Sequence, residues 1–388
     1  MKEINAALKL NKIRPSGIRR MFDLAQGVKN IISLGIGQPD FDTPEFIKEA
    51  MKLALDKKYT GYSPNMGYVE LREEIVKKYE DEYKLNYSIN DIVVTCGGCE
   101  ALYDICQAIL DLDDEVLIPD PGFLTYPAQV ILAGARPVPY NVIEDNEFKI
   151  DINEVKSKIT DKTKMIILNF PSNPTGALMT KDELTELIEM LDKKNIIILS
   201  DECYEKLVYD NMKHVCIATL GVKDKTFIVN SFSKSYAMTG WRVGYLLGPN
   251  KLISKINLVH QMNTACTNSA AQIACVEALR NKKESFKFQK EMLSEFDKRR
   301  KFVYKEANKI DGISCKLTKG AFYYLLNIKE TGMSSQEFSE LMLTKAKVVT
   351  IPGIEFGEMG EGYVRIAYTI NVEKLAEAFN RIKNVLAS

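Results

Sequence analysis

The sequence predicts an α/β protein with a mainly parallel sheet, followed by a smaller α+β region. From about Asp91 onward, short runs rich in β-branched residues alternate with longer amphipathic segments, which is typical of βαβ units. After Asn281 this alternation stops, and a long charged helix is predicted at about Phe288–Ile310. At 388 residues the chain is long enough for two unequal domains.

Six short segments carry the strand signal in the first region, and the longer segments between them have helical periodicity. The predicted strands are Asp91–Thr95, Glu115–Pro119, Lys164–Asn169, Asn195–Ser200, Thr226–Asn230 and Arg242–Leu247. The predicted helices between them include Glu100–Leu110 and Lys181–Lys193. In the second region the long helix leads into Gly320–Leu326, another helix and the strand-like Val348–Ile351.

The composition excludes several classes of partner. Lys and Arg together number 52, as do Asp and Glu, so no net charge would hold the protein on nucleic acid or on an anionic membrane. The longest apolar runs, such as Lys164–Phe170, fall far short of the roughly 20 residues that span a bilayer. Because Met1–Leu10 also lacks the apolar core of a signal peptide, we expect a cytoplasmic protein that acts on small molecules.

The eight cysteines are scattered, and only Cys96 and Cys99 form a close pair, which indicates reduced thiols rather than a disulfide framework. A CxxC pair at the start of a helix can also be a redox centre, although nothing else in the chain resembles a thioredoxin unit. Zinc needs about four ligands, and the chain offers this one pair and two distant histidines, His214 and His260. We therefore expect no metal site.

Polar or glycine-rich sequence follows four of the predicted strands. These sequences are Cys96–Cys99, Pro171–Gly176, Asp201–Tyr204 and Ser231–Lys234. In open α/β sheets, ligands bind beyond the carboxyl ends of the strands, so the four together indicate a ligand site. Gly97 and Gly98 separate a strand from a helix, where free amides and the helix dipole favour an anion such as phosphate. Such glycines also make ordinary tight turns.

Asp201 and Lys234 are the charged residues that stand out among these strand ends. A carboxylate at the buried end of a strand needs a partner, which implies a cation near Asp201, although an N-cap for a following helix explains it equally well. A lysine after a strand is usually solvated. Lys234, however, has Ser231 and Ser233 before it and Arg242 after it, and these groups can bind a phosphate. A Schiff-base lysine needs a phosphate anchor and an acid partner for a pyridine nitrogen, and all three components are present.

Seven short motifs recur here in the order and spacing of one known family. They are Ser33–Phe41, Tyr62–Gly67, Val94–Ala101, Asn173–Gly176, Asp201–Tyr204, Ser231–Gly244 and Tyr363–Ile366. Nearly end to end, the chain resembles class I aminotransferases of pyridoxal 5'-phosphate (PLP) fold type I, particularly archaeal aromatic and aspartate aminotransferases. The resemblance implies a large domain with a mainly parallel, mixed seven-stranded sheet covered by helices, PLP as cofactor, and a homodimer with shared active sites.

The resemblance also implies roles for individual residues. Lys234 would bind PLP as a Schiff base and move the catalytic proton, while Asp201 would keep the pyridine nitrogen protonated. Asn173 and Tyr204 would contact the phenolic oxygen of the cofactor. The phosphate would be bound by Gly98, Cys99, Ser231, Ser233, Arg242 and, from the partner subunit, Tyr62. The remaining residues are Phe123, which would stack on the ring, and Gly37, Asn173 and Arg365, which would bind the substrate.

Three segments are expected along the chain. Residues 1–43 have too little periodic apolar sequence for a domain and would form an N-terminal arm that packs on the small domain and the active site. Residues 44–281 would form the large PLP-binding domain, and residues 282–388 would form the small C-terminal domain.

The substrate is less well defined than the cofactor. Aspartate-using bacterial relatives often carry a lysine where this chain has Cys99, so we expect aromatic or broad amino-acid specificity with a 2-oxo acid such as 2-oxoglutarate. An aspartate aminotransferase, a transaminase that acts on an aldehyde in archaeal cofactor biosynthesis with a donor such as alanine, and a PLP-dependent lyase are the alternatives. A non-catalytic protein that has kept the fold is another.

A different class of enzyme also shares one motif with this chain. Ser231–Lys234 has the S-x-x-K spacing of penicillin-interacting acyl-transfer enzymes. The companion S-D-N and K-T-G motifs are not found, and such an enzyme would leave Asp201 and Arg242 without a role. This alternative is therefore disfavoured.

Overall fold

The structure of the protein is a computed structural model that describes residues 6–13 and 17–387. Its strands, numbered along the chain, are β1 Ile32–Ser33, β2 Ile92–Thr95, β3 Glu115–Asp120, β4 Arg136–Asn141, β5 Thr163–Asn169, β6 Ile197–Asp201, β7 Thr226–Ser231, β8 Gly244–Leu247, β9 Tyr323–Asn327, β10 Val348–Val349, β11 Ile351–Pro352 and β12 Tyr363–Ala367. Its α-helices are α1 Gly17–Ala25, α2 Glu45–Asp56, α3 Val69–Tyr83, α4 Gly98–Ile109, α5 Thr125–Leu132, α6 Ile152–Lys158, α7 Lys181–Asp192, α8 Phe232–Ser235, α9 Asn250–Asn263, α10 Ser269–Arg280, α11 Lys282–Ala307, α12 Ser335–Leu341 and α13 Val372–Leu386.

A seven-stranded sheet with the order β2-β8-β7-β6-β5-β3-β4 is the centre of the larger part of the protein. Strand β8 runs antiparallel to both of its neighbours, whereas the other neighbouring strands are parallel. The predicted mainly parallel, mixed seven-stranded sheet is confirmed. Because β5, β6 and β7 are parallel neighbours, their last residues, Asn169, Asp201 and Ser231, lie at one edge of the sheet.

Side chains alternate between two apolar layers along each central strand. In β5, Ile166 and Leu168 pack in the layer that contains α7, whereas Met165 and Ile167 pack in the layer that contains α4 and α9. Because both faces of the sheet are covered, the strands read in the sequence as continuous apolar runs. The site is therefore left at the strand ends rather than on a face.

All six strands predicted in this region form, with ends that differ by at most two residues. The seventh, β4, was missed because Pro137 and Pro139 weaken the strand pattern, and it lies at the edge of the sheet, where proline is tolerated. The prediction that a strand begins at Arg242 was wrong. Arg242 has a left-handed backbone with φ 56°, and the strand begins at Gly244.

The C-terminal region has a three-stranded antiparallel sheet in the order β11-β12-β9, covered by α11, α12 and α13. The long helix predicted from Phe288 begins earlier, at Lys282. Residues before α2 join this region, since β1 pairs with β10, and the Leu34 carbonyl accepts a bond from the Ala367 amide at 2.6 Å. We propose that these contacts divide the protein into an arm of residues 1–43, a large domain of residues 44–281 and a small domain of residues 282–388.

Among the described helices, none combines the length and the apolar character that crossing a membrane requires.

A buried arginine joins the long helix to the segment that follows β6. Arg300 has a fully buried side chain, and its Nη2 lies 2.6 Å from a carboxylate oxygen of both Asp210 and Asp297. Its Nη1 donates to the Thr318 carbonyl at 2.5 Å, and its guanidinium stacks on Tyr209. The Arg300 guanidinium holds the pKa of Asp210 well below its usual range.

We expect Asp210→Asn to lower the free energy of unfolding by about 1–3 kcal/mol at neutral pH, because it weakens a charged bond to a buried arginine. A carboxyl group whose pKa is lower in the folded state stabilises the protein above its unfolded pKa of about 3.9, and this contribution is lost as the pH falls. The stability difference between variant and wild type should therefore shrink below about pH 4. Urea denaturation at several pH values measures it, with Asp145→Asn at an exposed position as the control. A difference that did not change with pH would contradict the assignment.

Candidate active site

A cavity of about 300 Å³ lies at the carboxyl ends of β5, β6 and β7. All the predicted site residues except Tyr62 line it, namely Gly37, Gly98, Cys99, Phe123, Asn173, Asp201, Tyr204, Ser231, Ser233, Lys234, Arg242 and Arg365. They come from the N-terminal residues, from five different connections of the large sheet and from β12. The structure thus brings together groups that are far apart in the sequence.

Tyr62 is the predicted site residue that lies elsewhere. Its side chain is 93% exposed, and it borders a separate surface cavity of about 570 Å³. Within one chain it does not reach the other site residues. This position is compatible with the expectation that Tyr62 acts in the site of a partner subunit.

Lys234 lies in the short helix α8, directly after β7, and is largely enclosed rather than solvated. Its Nζ donates a hydrogen bond to the Gly37 carbonyl at 2.5 Å. Burial lowers the pKa of Lys234 to about 8, and the positive charges of Arg365 and Arg242 act in the same direction. Part of this amine is therefore neutral near physiological pH, which a nucleophile or a base requires.

Asp201 is the last residue of β6, and its carboxylate is buried without a cation. Its Oδ2 accepts from the Tyr126 hydroxyl at 2.9 Å, and its Oδ1 accepts from the Cys203 amide at 3.2 Å. Burial raises the pKa of Asp201, and these two bonds oppose the rise. In the described part of the chain no lysine or arginine forms an ion pair with it, and the residues after it form a turn rather than a helix. The N-cap alternative is wrong, and the expected cation is not supplied by the described residues.

The turn between β2 and α4 has the geometry of an anion site. Gly97 has φ 84°, and a Cβ there would lie 2.4 Å from Nη2 of Arg242, so the close approach of that guanidinium requires glycine. Gly98 and Cys99 begin α4, where backbone amides have no partner within the helix. Arg242 is fixed by bonds to the carbonyls of Thr239 and Cys96, at 3.1 and 3.2 Å.

Two serines complete this side of the cavity. Ser231 is the last residue of β7, and its hydroxyl donates to the hydroxyl of Ser233 at 2.8 Å. Both side chains are buried next to the start of α4. Two hydroxyls, two free amides and a guanidinium therefore face the same space, a donor set that suits a phosphate group.

Arg365 is a buried cation that also lines the cavity. Its side chain lies in β12 with 2% of the residue exposed, and its Nη1 and Nη2 donate to Asn173 Oδ1 at 3.0 Å and to the Gly35 carbonyl at 2.8 Å. Its Nε has no hydrogen-bond partner. The guanidinium stacks between the rings of Tyr323 and Phe356, at 4.6 and 4.8 Å. A buried guanidinium with free donor capacity can bind a carboxylate.

Two tyrosines of the site were not predicted from the sequence. Tyr126 binds Asp201, and the Tyr323 hydroxyl lies 2.9 Å from the Tyr204 hydroxyl. A Cβ at Gly37 would lie 2.2 Å from the Tyr323 hydroxyl, so glycine is required there too. Phe123 precedes α5 whereas Tyr126 lies within it, so no local pattern pairs the two residues, and the contacts of both tyrosines are tertiary.

Comparison with known proteins identifies the family. Residues 29–382 match the family described as aminotransferase class I and II. The chain belongs to this family. It is 45% identical over 380 residues to an aspartate aminotransferase of Pyrococcus abyssi. It is equally similar, at 45% over 380 residues, to aromatic-amino-acid aminotransferase 2 of Thermococcus litoralis. Each match covers 97% of this chain and 97% of the relative. The solved structure of an aromatic aminotransferase from Pyrococcus horikoshii is similar, with a TM-score of 0.91 and 43% identity over 95% of this chain and 98% of that one.

The protein is therefore a PLP-dependent transaminase that moves amino groups between amino acids and 2-oxo acids. The predicted family, fold type, reaction and cofactor are confirmed. Membership of this family decides against the acyl-transfer, redox and non-catalytic alternatives. The names of its relatives differ in the amino donor, one being aspartate and another an aromatic amino acid. The family therefore leaves the donor open.

We expect Tyr126→Phe to lower the free energy of unfolding by about 1.5–3 kcal/mol, because it removes a donor from a buried carboxylate. Tyr140→Phe is the matched control, since that buried hydroxyl donates at 2.8 Å to a neutral acceptor, the Ile167 carbonyl. It should cost only about 0.5–1.5 kcal/mol. Urea denaturation of both variants gives the comparison. Equal losses would show that Asp201 does not depend on Tyr126.

Proposed function

We propose that this transaminase takes an aromatic amino acid, or a broad range of bulky amino acids, as its donor and a 2-oxo acid such as 2-oxoglutarate as its acceptor. The supporting observation is the charge of the cavity. Within the described residues, the cations that line it are Lys234, Arg242 and Arg365. Lys234 and Arg242 are assigned to the cofactor and Arg365 to the α-carboxylate of the substrate. No cation among them remains for the second carboxylate of aspartate.

The walls of the cavity support the same preference. Cys99 stands where aspartate-using bacterial relatives often have a lysine, and a thiol supplies no positive charge for a second carboxylate. The apolar side chains at the cavity are Ile36, Leu102, Phe123 and Tyr323. An aromatic side chain would bury its surface there without leaving a charge unpaired. 2-Oxoglutarate also has a second carboxylate, so the lack of a further cation affects the acceptor as well as the donor. The acceptors to compare are therefore 2-oxoglutarate and a monocarboxylate.

The residues of the cavity fit PLP at three points. The carboxylate of Asp201 is buried without a cation and suits a protonated pyridine nitrogen. The donor set at the start of α4 suits the phosphate. The amine of Lys234 lines the same cavity. Bound PLP supplies a ring that withdraws electrons and stabilises the negative charge left on a substrate α-carbon after proton removal.

Each group has a separate task in this proposal. Lys234 binds the cofactor and then, as a free amine, takes the proton from the substrate α-carbon, which its lowered pKa allows. Asp201 keeps the ring nitrogen protonated, and Asn173 and Tyr204 hydrogen-bond the phenolic oxygen. Arg365 clamps the α-carboxylate of the substrate, aided by Asn173 and the Gly37 backbone, while Phe123 stacks on the ring. The phosphate is bound by Gly98, Cys99, Ser231, Ser233 and Arg242.

The proposal includes a homodimer in the cytoplasm. Tyr62 is almost fully exposed, and Met51 and Leu55 border the same surface cavity, so a second copy would bury apolar area there and bring Tyr62 to a phosphate. All eight cysteines are free, which suits a reducing compartment. Aspartate stays the second candidate donor because the Pyrococcus abyssi relative is named for it.

We expect kcat/KM to be higher for phenylalanine and tyrosine than for aspartate in a panel of donors against 2-oxoglutarate, pyruvate and an aldehyde. We expect Cys99→Lys to raise kcat/KM for aspartate by about 10- to 100-fold, because it adds a charged contact to the distal carboxylate. Cys99→Ser keeps the position neutral and should not change the ratio of kcat/KM for aspartate to kcat/KM for phenylalanine. Efficient use of aspartate by the unaltered enzyme would overturn the proposed donor, and an aldehyde acceptor preferred with alanine would establish that alternative.

We expect Lys234→Ala to lose the visible absorption of the lysine-bound cofactor together with activity. We expect Tyr62→Phe to retain cofactor more weakly, since one phosphate contact is lost. Mixing the two variants should restore activity. In a mixed dimer, the subunit that carries Tyr62→Phe keeps its own Lys234 and receives an intact tyrosine from the subunit that carries Lys234→Ala, so one of the two sites is complete. Absorbance spectra and the activity of refolded mixtures measure this. A mixture no more active than the sum of its parts would contradict shared sites.

A further inference from the structure

Behind the proposed phosphate site, two acids and a histidine are buried together. Glu100 and Asp104 lie on α4, and His260 of α9 faces both. His260 Nδ1 lies 3.3 Å from Glu100 Oε1 and 3.4 Å from Asp104 Oδ2. Asp104 and His260 have no exposed surface, and neither Asp104 oxygen has a hydrogen-bond partner. None of the three lines the cavity.

Glu100 is connected directly to the turn that precedes the phosphate site. Its Oε2 accepts from the Cys96 amide, and its Oε1 accepts from the Thr264 hydroxyl. The carbonyl of Cys96 accepts from Arg242 at 3.2 Å. Cys96 is therefore fixed on one side by Glu100 and on the other by Arg242, immediately before Gly97. The position of the Gly98 and Cys99 amides depends on both bonds.

The same acids work against a phosphate at the start of α4. Glu100 lies in the first turn of the helix and competes with the phosphate for its positive end, and Asp104, about one turn later, adds a second negative charge nearby. A cation among them removes much of this repulsion. Burial lowers the pKa of His260, but the nearby carboxyl groups of Asp104 and Glu100 outweigh it and raise the pKa to about 9. Burial raises the pKa of Asp104 to about 6.

We propose that His260 is a positioning residue for the cofactor phosphate. As a cation it keeps Glu100 on the Cys96 amide and offsets the charge of Glu100 and Asp104 behind the phosphate. This inference rests on the proposed phosphate site at Gly98, Cys99 and Arg242. In the described part of the chain, the charged groups that face His260 are these two acids of α4, and its own helix contributes Asn263, which donates to Glu100 at 3.5 Å.

The pH dependence follows from the direction of the shift. The folded pKa of His260 lies above the ordinary value of about 6.5, so the imidazole stays charged through neutral pH and loses its proton near pH 9. Its contribution to phosphate binding is thus present at neutral pH and lost as the pH rises through about 9. A neutral substitute lacks this contribution at every pH.

The test compares the binding of PLP and of pyridoxal, which has no phosphate, to the full-length protein freed of cofactor. We expect His260→Gln to weaken PLP binding by about 5- to 30-fold at neutral pH, the effect of a partly buried charge at a helix end. Pyridoxal binding should be unchanged. The two proteins should bind PLP with converging affinities above about pH 9, where wild-type His260 is neutral.

A second variant separates charge from packing. His260→Gln with Asp104→Asn should recover part of the lost PLP affinity, because it removes one of the two acids that the histidine offsets. A role in packing alone gives no recovery. The control is His214→Gln, which breaks the other buried pair of histidine and carboxylate, where His214 Nε2 lies 2.9 Å from Glu202 Oε2. This variant should keep the wild-type ratio of PLP to pyridoxal affinity.

Arg242→Gln, measured in the same way, separates this inference from the proposed function. If Arg242→Gln keeps full PLP affinity, the proposed phosphate site is wrong and the inference falls with it. If Arg242→Gln loses PLP selectively while His260→Gln binds PLP as the wild type does, only the role of His260 is overturned. Equal loss of PLP and pyridoxal in His260→Gln would also overturn it, since such a loss does not involve the phosphate.

Discussion

Two buried charges of opposite sign, Asp201 and Arg365, face one cavity without pairing with each other, and the site depends on this separation. Burying an ion without a counter-ion is costly, so each must be held by neutral dipoles. Asp201 is held by a tyrosine hydroxyl and a backbone amide, and Arg365 by an amide oxygen and a backbone carbonyl. Each charge is thereby left available to a ligand group of opposite sign.

Close backbone approach is the second constraint on the site. Gly97 makes room for the Arg242 guanidinium, and a Cβ at Gly244 would lie 2.6 Å from the carbonyl carbon of Gly97. The antiparallel strand β8 therefore lies directly against the turn that begins α4. Gly37 similarly admits the Tyr323 hydroxyl. These glycines allow three separate parts of the chain to approach closely at the cavity.

The sequence was sufficient for the sheet and for most of the cavity because both depend on local patterns. Apolar runs fix the strands, and polar residues directly after them must meet at one edge of a parallel sheet. Prolines hid β4, because an edge strand tolerates a residue that a central strand does not. Tyr126 and the group of Glu100, Asp104 and His260 were missed for another reason. The role of Tyr126 arises from a contact between α5 and the end of β6, and that of the other group from contacts between α4 and α9. No element shows on its own which of its polar residues another element will meet.

The pairing of β1 with β10 has a mechanical consequence. It joins the backbone that contains Gly35 and Gly37 to the C-terminal region, which also contains Arg365. Gly37 accepts a hydrogen bond from Lys234, which lies in α8 directly after β7 of the large sheet. Any shift of the C-terminal region relative to that sheet would therefore change the hydrogen bond between Lys234 and Gly37 and the position of Arg365 together. The surroundings of the Lys234 amine and of the Arg365 guanidinium are thus linked through a pair of strands only two residues long.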